Sequence, residues 1–243
     1  MKGGEKHGSY DTFESNRPVS LFPNLYISTI GLEFENQACA RGFRFIAGVD
    51  EVGRGCLAGA VVAAAAILDL SRPLPKGLND SKKLTAKERV EIAEELKENV
   101  LTYSVAQIEA EEIDRINILE ATKKAMCLAI SRLEPQADFL LIDALRLKQS
   151  PLPQEAIIKG DAISASIAAA SILAKTYRDH MMQEFDQVYP EYGFSHHVGY
   201  GTREHLAAIR EHGICRLHRK SFRGVLEPAL DAGLLFDDGV LTG

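Results

Sequence analysis

The chain contains no tryptophan and only four cysteines, and none of its apolar runs approaches the ~20 residues that a membrane span requires. Cys39, Cys56, Cys127 and Cys215 are widely spaced and form no C-x-x-C pair. That spacing excludes a disulfide framework and a cysteine-rich zinc site, and it fits a reducing, cytoplasmic compartment. Met1 to His7 run into further polar residues with no apolar stretch, so a secretory signal is not expected. There is no surplus of basic charge either: 28 Lys and Arg stand against 34 Asp and Glu, a formal charge of -6. Taken alone, that balance disfavours a nucleic-acid partner, because a protein that neutralises phosphates is usually basic on at least one face.

The 243 residues are 46% hydrophobic and 26% charged, the composition of an ordinary globular protein. No internal repeat or low-complexity linker divides residues 40 to 223. The expected organisation is an N-terminal extension over 1–40, partly mobile, one folded domain over 41–223, and an acidic C-terminal tail over 224–243. Phe43 to Val49 and Ala60 to Leu68 read as strands. The second is too continuously apolar for a one-sided strand and should be covered on both faces. Thr85-Ala86-Lys87-Glu88 has the spacing of a capping box and opens a helix over about 86–98. Leu101 to Ile108, Phe139 to Ile142 and Ala156 to Ile158 read as strands. Asn117 to Leu133, Ala162 to about Phe185 and Thr202 to Glu211 read as helices. That order gives an α/β protein, a mixed five-stranded sheet flanked by helices with a helical C-terminal segment.

Acidic residues stand where the apolar strands end. Phe45 to Val49 runs into Asp50-Glu51, Phe139 to Ile142 into Asp143, and Ile157 to Gly160 into Asp161. Ligands of α/β sheets bind outside strand ends, so these carboxylates can converge on one site. Four converging carboxylates cannot all stay ionised without cations between them, and hard Mg²⁺ or Mn²⁺ is the natural counterion. Such a layout suits phosphoryl transfer. The plainer alternative is that each Asp forms a turn or caps a helix, Asp161 above all. Asp50 and Glu51 would point to opposite faces of a regular strand, so both can meet one cation only if the strand breaks or bulges there. Gly53-x-Gly55-x-x-x-Gly59 resembles a dinucleotide loop only superficially, since a strand follows it where a helix would be needed. It reads as a glycine-rich connection or as a place where backbone approaches a sugar or phosphate.

Asp50-Glu51-Val52-Gly53-Arg54-Gly55, Asp80-Ser81-Lys82-Lys83-Leu84, Leu141-Ile142-Asp143, Lys159-Gly160-Asp161-Ala162, Ala170 to Lys175, Gly199-Tyr200-Gly201-Thr202 and His218-Arg219-Lys220-Ser221-Phe222 occur in this order. The seven blocks, spanning about residues 43 to 223, resemble the ribonuclease HII family. The resemblance implies an RNase H-like fold and an endoribonuclease that hydrolyses the RNA strand of RNA/DNA hybrids and incises 5′ to single ribonucleotides embedded in duplex DNA. It implies two Mn²⁺ or Mg²⁺ ions held by Asp50, Glu51, Asp143 and Asp161, leaving 5′-phosphate and 3′-hydroxyl ends. Gly53, Arg54 and Gly55 match the family's ribonucleotide sensor, Lys82 and Lys83 its phosphate contacts, and Tyr177 the tyrosine that stacks on the following sugar. Read from the residues alone, Tyr177 instead shares a helix side with Ile167, Ala170, Ala174 and Met181 and would be a packed core residue. Lys82 and Lys83 would be a solvated lead-in to a helix. Ala144 replaces the family's usual Gly, so the turn after Asp143 must avoid positive φ. His197-Val198 replaces the usual His-Lys, and no phosphate-reaching role is assigned there. The remaining histidines fit no zinc spacing and are given surface and packing roles.

The alternatives are another RNase H-like nuclease or a non-catalytic hybrid-binding protein. The expected partner is nucleic acid, with no membrane and with the chain acting as a monomer. No Gln-x-x-hydrophobic-x-x-aromatic-aromatic box supports a sliding-clamp partner. The acidity is uneven: Arg72 to Arg89 carries six basic residues against Asp80 and Glu88, and Arg216 to Arg223 adds four with no acid. Those two stretches are the expected phosphate-facing surfaces.

Overall fold

The computed structural model describes residues 30–226. Five strands form one sheet in the order β3-β2-β1-β4-β5: β1 is Ile46–Val52, β2 Val61–Leu68, β3 Val100–Ile108, β4 Phe139–Asp143 and β5 Gln154–Ile157. β1, β2 and β3 are antiparallel neighbours, while β4 and β5 run parallel to β1. The expected mixed five-stranded sheet is thus the observed one.

β2 explains its own sequence. Ala60, Val62, Ala64, Ala66 and Leu68 face helices α2 (Ala86–Asn99) and α5 (Ala165–Val188), whereas Val61, Ala63, Ala65 and Ile67 face α4 (Ile118–Ser131). Both faces are buried, so a side-chain period of two leaves no position for a polar residue, and alanine lets the helices lie close. At Gly48 the approach is closest, since a Cβ there would lie 2.0 Å from the carbonyl carbon of Ser166 at the start of α5.

The Thr85–Glu88 capping box is formed, Glu88 Oε2 accepting from the Thr85 amide at 2.8 Å and Thr85 Oγ1 from the Glu88 amide at 3.3 Å. α4 starts after Asn117, whose side chain accepts from the Glu120 amide. Asn117 has φ +68, which separates α4 from a short helix, α3 (Ala110–Ile116), that the periodicity does not predict. Regular structure begins inside the segment read as an extension. Helix α1 (Glu33–Ala40) buries Ala38 and Glu35, and Glu35 Oε1 accepts from Ser164 Oγ, the Ser166 amide and Ser166 Oγ. The acidic tail beyond residue 226 lies outside the described residues. The helical C-terminal segment consists of α6 (Phe194–His197) and α7 (Arg203–His212). Among the described residues no helix is long and apolar enough to cross a membrane.

Candidate active site

β1 and β4 run parallel, so their carboxyl ends lie side by side and bring Asp50, Glu51 and Asp143 to one end of the sheet. β5, parallel to β4, delivers the chain into the single turn Gly160–Ala162, which places Asp161 beside Asp143. Asp143 is fixed by the Gly160 amide, which donates to its Oδ1 at 2.7 Å. Asp161 does not cap the helix that follows. Ser164 is the cap, accepting from the Ile167 amide, and Asp161 is buried with its Oδ2 3.0 Å from Lys82 Nζ.

The strand does not break at Asp50-Glu51. Pairing with β2 continues without irregularity from Ala47↔Ile67 to Val52↔Val62, and only the pairing with β4 stops, after Val49↔Ile142. Alternation therefore puts Asp50 on the α5 side with Gly48 and Val52, and Glu51 on the other side with Val49. The expected bulge is absent because the antiparallel partner holds the strand straight. Both carboxylates still sense Asp143. Burial first, then the charges of Glu51 and Asp143, pushes the Asp50 carboxyl well above the usual range, with Ser171 hydrogen-bonded to it in partial compensation. Burial raises Glu51 as well, partly offset by Arg54, whose Nη1 lies 3.1 Å from Glu51 Oε1. Burial also raises Asp143, with Asp161 adding to it.

The donor set fits a hard divalent cation. All four groups are carboxylates, three of them strained toward neutrality, and Glu51 Oε2 is buried with no hydrogen-bond partner. Among the described residues no three such side chains yet close on one point. Resident cations hold two of them instead, Arg54 on Glu51 and Lys82 on Asp161.

Beside the acids lies the connection from β1 to β2. Gly53 has φ +88, and a Cβ there would sit 2.2 Å from Arg178 Nε, so the fold itself demands glycine. Gly55 is different: it is exposed, its φ needs no glycine, and a Cβ would meet nothing within 4 Å. Among the described residues nothing lies close enough to require glycine at 55.

Tyr177 is not brought to this centre. On α5 it lies about 100° or more around the helix from Ser171, Lys175 and Arg178, which face the β1–β2 connection. It lines a groove of about 590 Å³ between α2, β3 and α5 with Val90, Tyr103 and Leu173, and its hydroxyl donates to Gln107 Oε1. It is not a core residue either, being 45% exposed. The aromatic residue beside the loop is Tyr200, half exposed and hydrogen-bonded to Cys56. Gly199 and Gly201 let it lie there. A Cβ on Gly199 would be 2.5 Å from the Ala58 carbonyl oxygen, and one on Gly201 2.9 Å from Leu57 Cδ1. Tyr200 carries no role in the sequence-based expectations, although the paired glycines around it are the signal that marks it.

Ala144 has φ +49, contrary to the expectation that its turn avoids positive φ. The turn is held by the Ala144 amide on Ile157 O and the Leu145 amide on Asp143 O. Of the basic stretches, several members are spent internally. Arg72 pairs with Asp69 and binds the end of α2, Arg89 binds the Ser81 and Leu84 carbonyls and Asp179, and Arg219 is completely buried. Lys83 is exposed.

Known proteins resemble this chain over most of its length. The family model described as Ribonuclease HII matches residues 47–225. A protein named Ribonuclease HII from Ruminiclostridium cellulolyticum is 53% identical over 191 residues, 79% of this chain and 74% of that one. One of the same name from Desulfitobacterium hafniense is 55% identical over 194 residues, 80% and 74% of the two chains. The crystal structure of the ribonuclease H2 from Pyrococcus horikoshii superposes with a TM-score of 0.64 at 26% identity, covering 75% of this chain and 95% of that one.

Proposed function

The chain belongs to the ribonuclease HII family and is an endonuclease acting on the RNA of RNA/DNA hybrids, and we propose that it also incises on the 5′ side of single ribonucleotides embedded in duplex DNA. The observation that carries the finer reading is the pairing of a carboxylate centre with a glycine at 55 that the fold does not require. Only the 2′-hydroxyl distinguishes one ribonucleotide from its neighbours, and main-chain groups at Gly53, Arg54 and Gly55 can reach it only where no side chain intervenes.

Asp50, Glu51, Asp143 and Asp161 would hold two Mg²⁺ or Mn²⁺ ions, which supply an activated water nucleophile and charge stabilisation on the leaving 3′ oxygen. The chain's own groups prepare that chemistry. The Gly160 amide orients Asp143, and the Ser171 hydroxyl beside Asp50 favours its charged form. Arg54 leaves Glu51 Oε2 free, and Lys82 neutralises Asp161 while its largely exposed chain can turn to a phosphate. Lys83, exposed beside it, is assigned the same phosphate-contact role. Tyr200 takes the sugar-stacking role first assigned to Tyr177, because it stands beside the sensor loop. The products are 5′-phosphate and 3′-hydroxyl ends.

The test is incubation with duplex DNA holding one ribonucleotide and Mg²⁺ or Mn²⁺. A single cut 5′ to that nucleotide is expected, and Asp50→Asn or Asp143→Asn should abolish it. Absence of any cut in the wild type would overturn the finer reading, and full activity in either variant would remove the metal-ligand assignment.

A further inference from the structure

Among the described residues two arginines are completely buried, and both spend their guanidinium groups on backbone carbonyls rather than on carboxylates. Arg219 donates from Nε to Gly59 O at 3.0 Å, from Nη1 to Arg54 O at 2.9 Å and from Nη2 to Gly53 O at 2.7 Å. Arg178 donates to Ala60 O, Val198 O and Ala58 O. Five carbonyls of residues 53 to 60 are thereby turned inward onto two cations. Burial without a counter-anion is expensive and pushes Arg219 down to about 10, which still leaves it charged at neutral pH.

The result at the loop surface is specific. With the Gly53 and Arg54 carbonyls held inside, the amides of the same two trans peptide units, those of Arg54 and Gly55, point the opposite way, and no acceptor among the described residues meets them. A hairpin connection needs no such arrangement, whereas a rigid donor edge aimed at a ligand does. The clamp is itself anchored. The Asp114 carboxylate on α3 accepts from the Lys220 amide, the Ser221 amide and Ser221 Oγ, immediately after Arg219. The Arg219 amide donates to Leu57 O, tying the segment to the loop a second time. Only a planar fork can hold three carbonyls in one plane, so lysine is not an equivalent.

We propose that Arg219 is a positioning residue for ribonucleotide recognition: by fixing the Gly53 and Arg54 peptide planes it sets how strongly an isolated ribonucleotide is cut relative to a continuous hybrid. This rests on the reading of Gly53 to Gly55 as the 2′-hydroxyl sensor. A loosened loop loses most where a single 2′-hydroxyl must be found and least where neighbouring ribonucleotides offer further registers.

The experiment compares wild type, Arg219→Lys and Asp114→Asn. It reads amide hydrogen exchange of the segment 53–59 and kcat/KM on a duplex with one ribonucleotide and on an RNA/DNA hybrid of matched sequence. For Arg219→Lys, exchange of 53–59 should rise at least about tenfold with β2 unchanged, and the single-ribonucleotide kcat/KM should fall about 100-fold. The continuous hybrid should lose less than about fivefold. Asp114→Asn, which leaves the core intact, should show the same selectivity at about tenfold. Unchanged exchange, or equal losses on both substrates in folded protein, would overturn the proposal. Exchange requires no substrate. Raised exchange beside a wild type that spares the single ribonucleotide would therefore sink the sensor reading and leave the clamp standing.

Discussion

Lowering the pH should destabilise the chain through one buried histidine pair. His205 Nδ1 lies 2.8 Å from Tyr200 O, so it donates. Its Nε2, 3.1 Å from His218 Nε2, then accepts, and His218 Nδ1 accepts from the Cys215 amide. His197 stacks on His205 with ring centroids 4.5 Å apart, accepts from the Gly199 amide and donates to Tyr192 O. Each ring nitrogen in this cluster is satisfied with neutral rings, and the groups packed around His205 are His197, His218 and Phe194, none of them acidic. An added proton meets no acceptor. Burial chiefly, with His197 and His218 adding, lowers His205 from 6.5 to about 4, and burial lowers His218 too. Because the unfolded chain takes up the proton near 6.5 and the folded chain only near 4, the unfolded state binds more protons between those values. Stability therefore falls as pH falls through that window. From pH 7.5 to pH 5 the His205 contribution is about 2 kcal/mol, approaching about 3 kcal/mol by pH 4. Asp50, Glu51 and Asp143, raised in the folded state, work in the opposite sense over the acid range. The informative quantity is thus the difference between wild type and His205→Gln. Urea denaturation followed by circular dichroism in EDTA, at half-unit steps from pH 7.5 to 4.5, should show the wild type losing about 2 kcal/mol more than the variant by pH 5. Parallel curves within about 0.5 kcal/mol would refute the neutral-pair account.

Four further substitutions separate fold from function. Gly53→Ala should cost about 2–3 kcal/mol or more, since it adds a clash with Arg178 to a φ of +88, whereas Gly55→Ala should change stability by less than about 1 kcal/mol and still abolish ribonucleotide discrimination. Equal melting temperatures for the two would contradict that division. Ala144→Gly should stabilise by about 0.5–1 kcal/mol, the left-handed penalty of alanine less the extra unfolded freedom of glycine, visible as a higher Tm. A lower Tm would show that Ala144 packs more than its backbone suggests. Asp50→Asn in EDTA should raise stability by about 1 kcal/mol by removing a buried charge beside two others, and should lose the Tm increase that Mn²⁺ gives the wild type. A variant that melts lower, or still responds fully to Mn²⁺, would remove Asp50 from the charged centre.

The strand-end acids were legible because Phe139 to Ile142 and Phe45 to Val49 are unmistakably apolar and end abruptly, and parallel pairing of β1 with β4 is what makes those ends coincide. β2 was legible for the same reason, an apolar run with no polar face to offer. Helix α3 was hidden because its Glu111, Glu112 and Asp114 read as a solvated acidic run, while Ala110 and Ile113 alone mark the buried side. Helix α1 was hidden because its anchor, Glu35, is a buried carboxylate that composition places on the surface.

The helix wheel of α5 misled for a more general reason. Sorting its residues by polarity assigns the side that holds Ile167, Ala170, Ala174, Tyr177 and Met181 to the core and leaves Ser171, Lys175 and Arg178 on the opposite side. In the fold Ser164, Ser171 and Arg178 are buried, and Tyr177 lies on an open groove. Hydrophobic periodicity assumes that whatever lies across from a polar stripe is water. Across from this stripe lie the inward-turned carbonyls of residues 58 and 60 and the carboxylate of Asp50, polar groups that burial makes more demanding of partners than water would. Charge counting failed in the same way, since Arg219 belongs to a basic stretch yet faces no phosphate. A polar stripe on a long helix thus marks the side that packs against polar groups, and Ser171 and Arg178 lie on the side of α5 that meets Asp50 and the carbonyls of residues 58 and 60, a side that Tyr177 does not share.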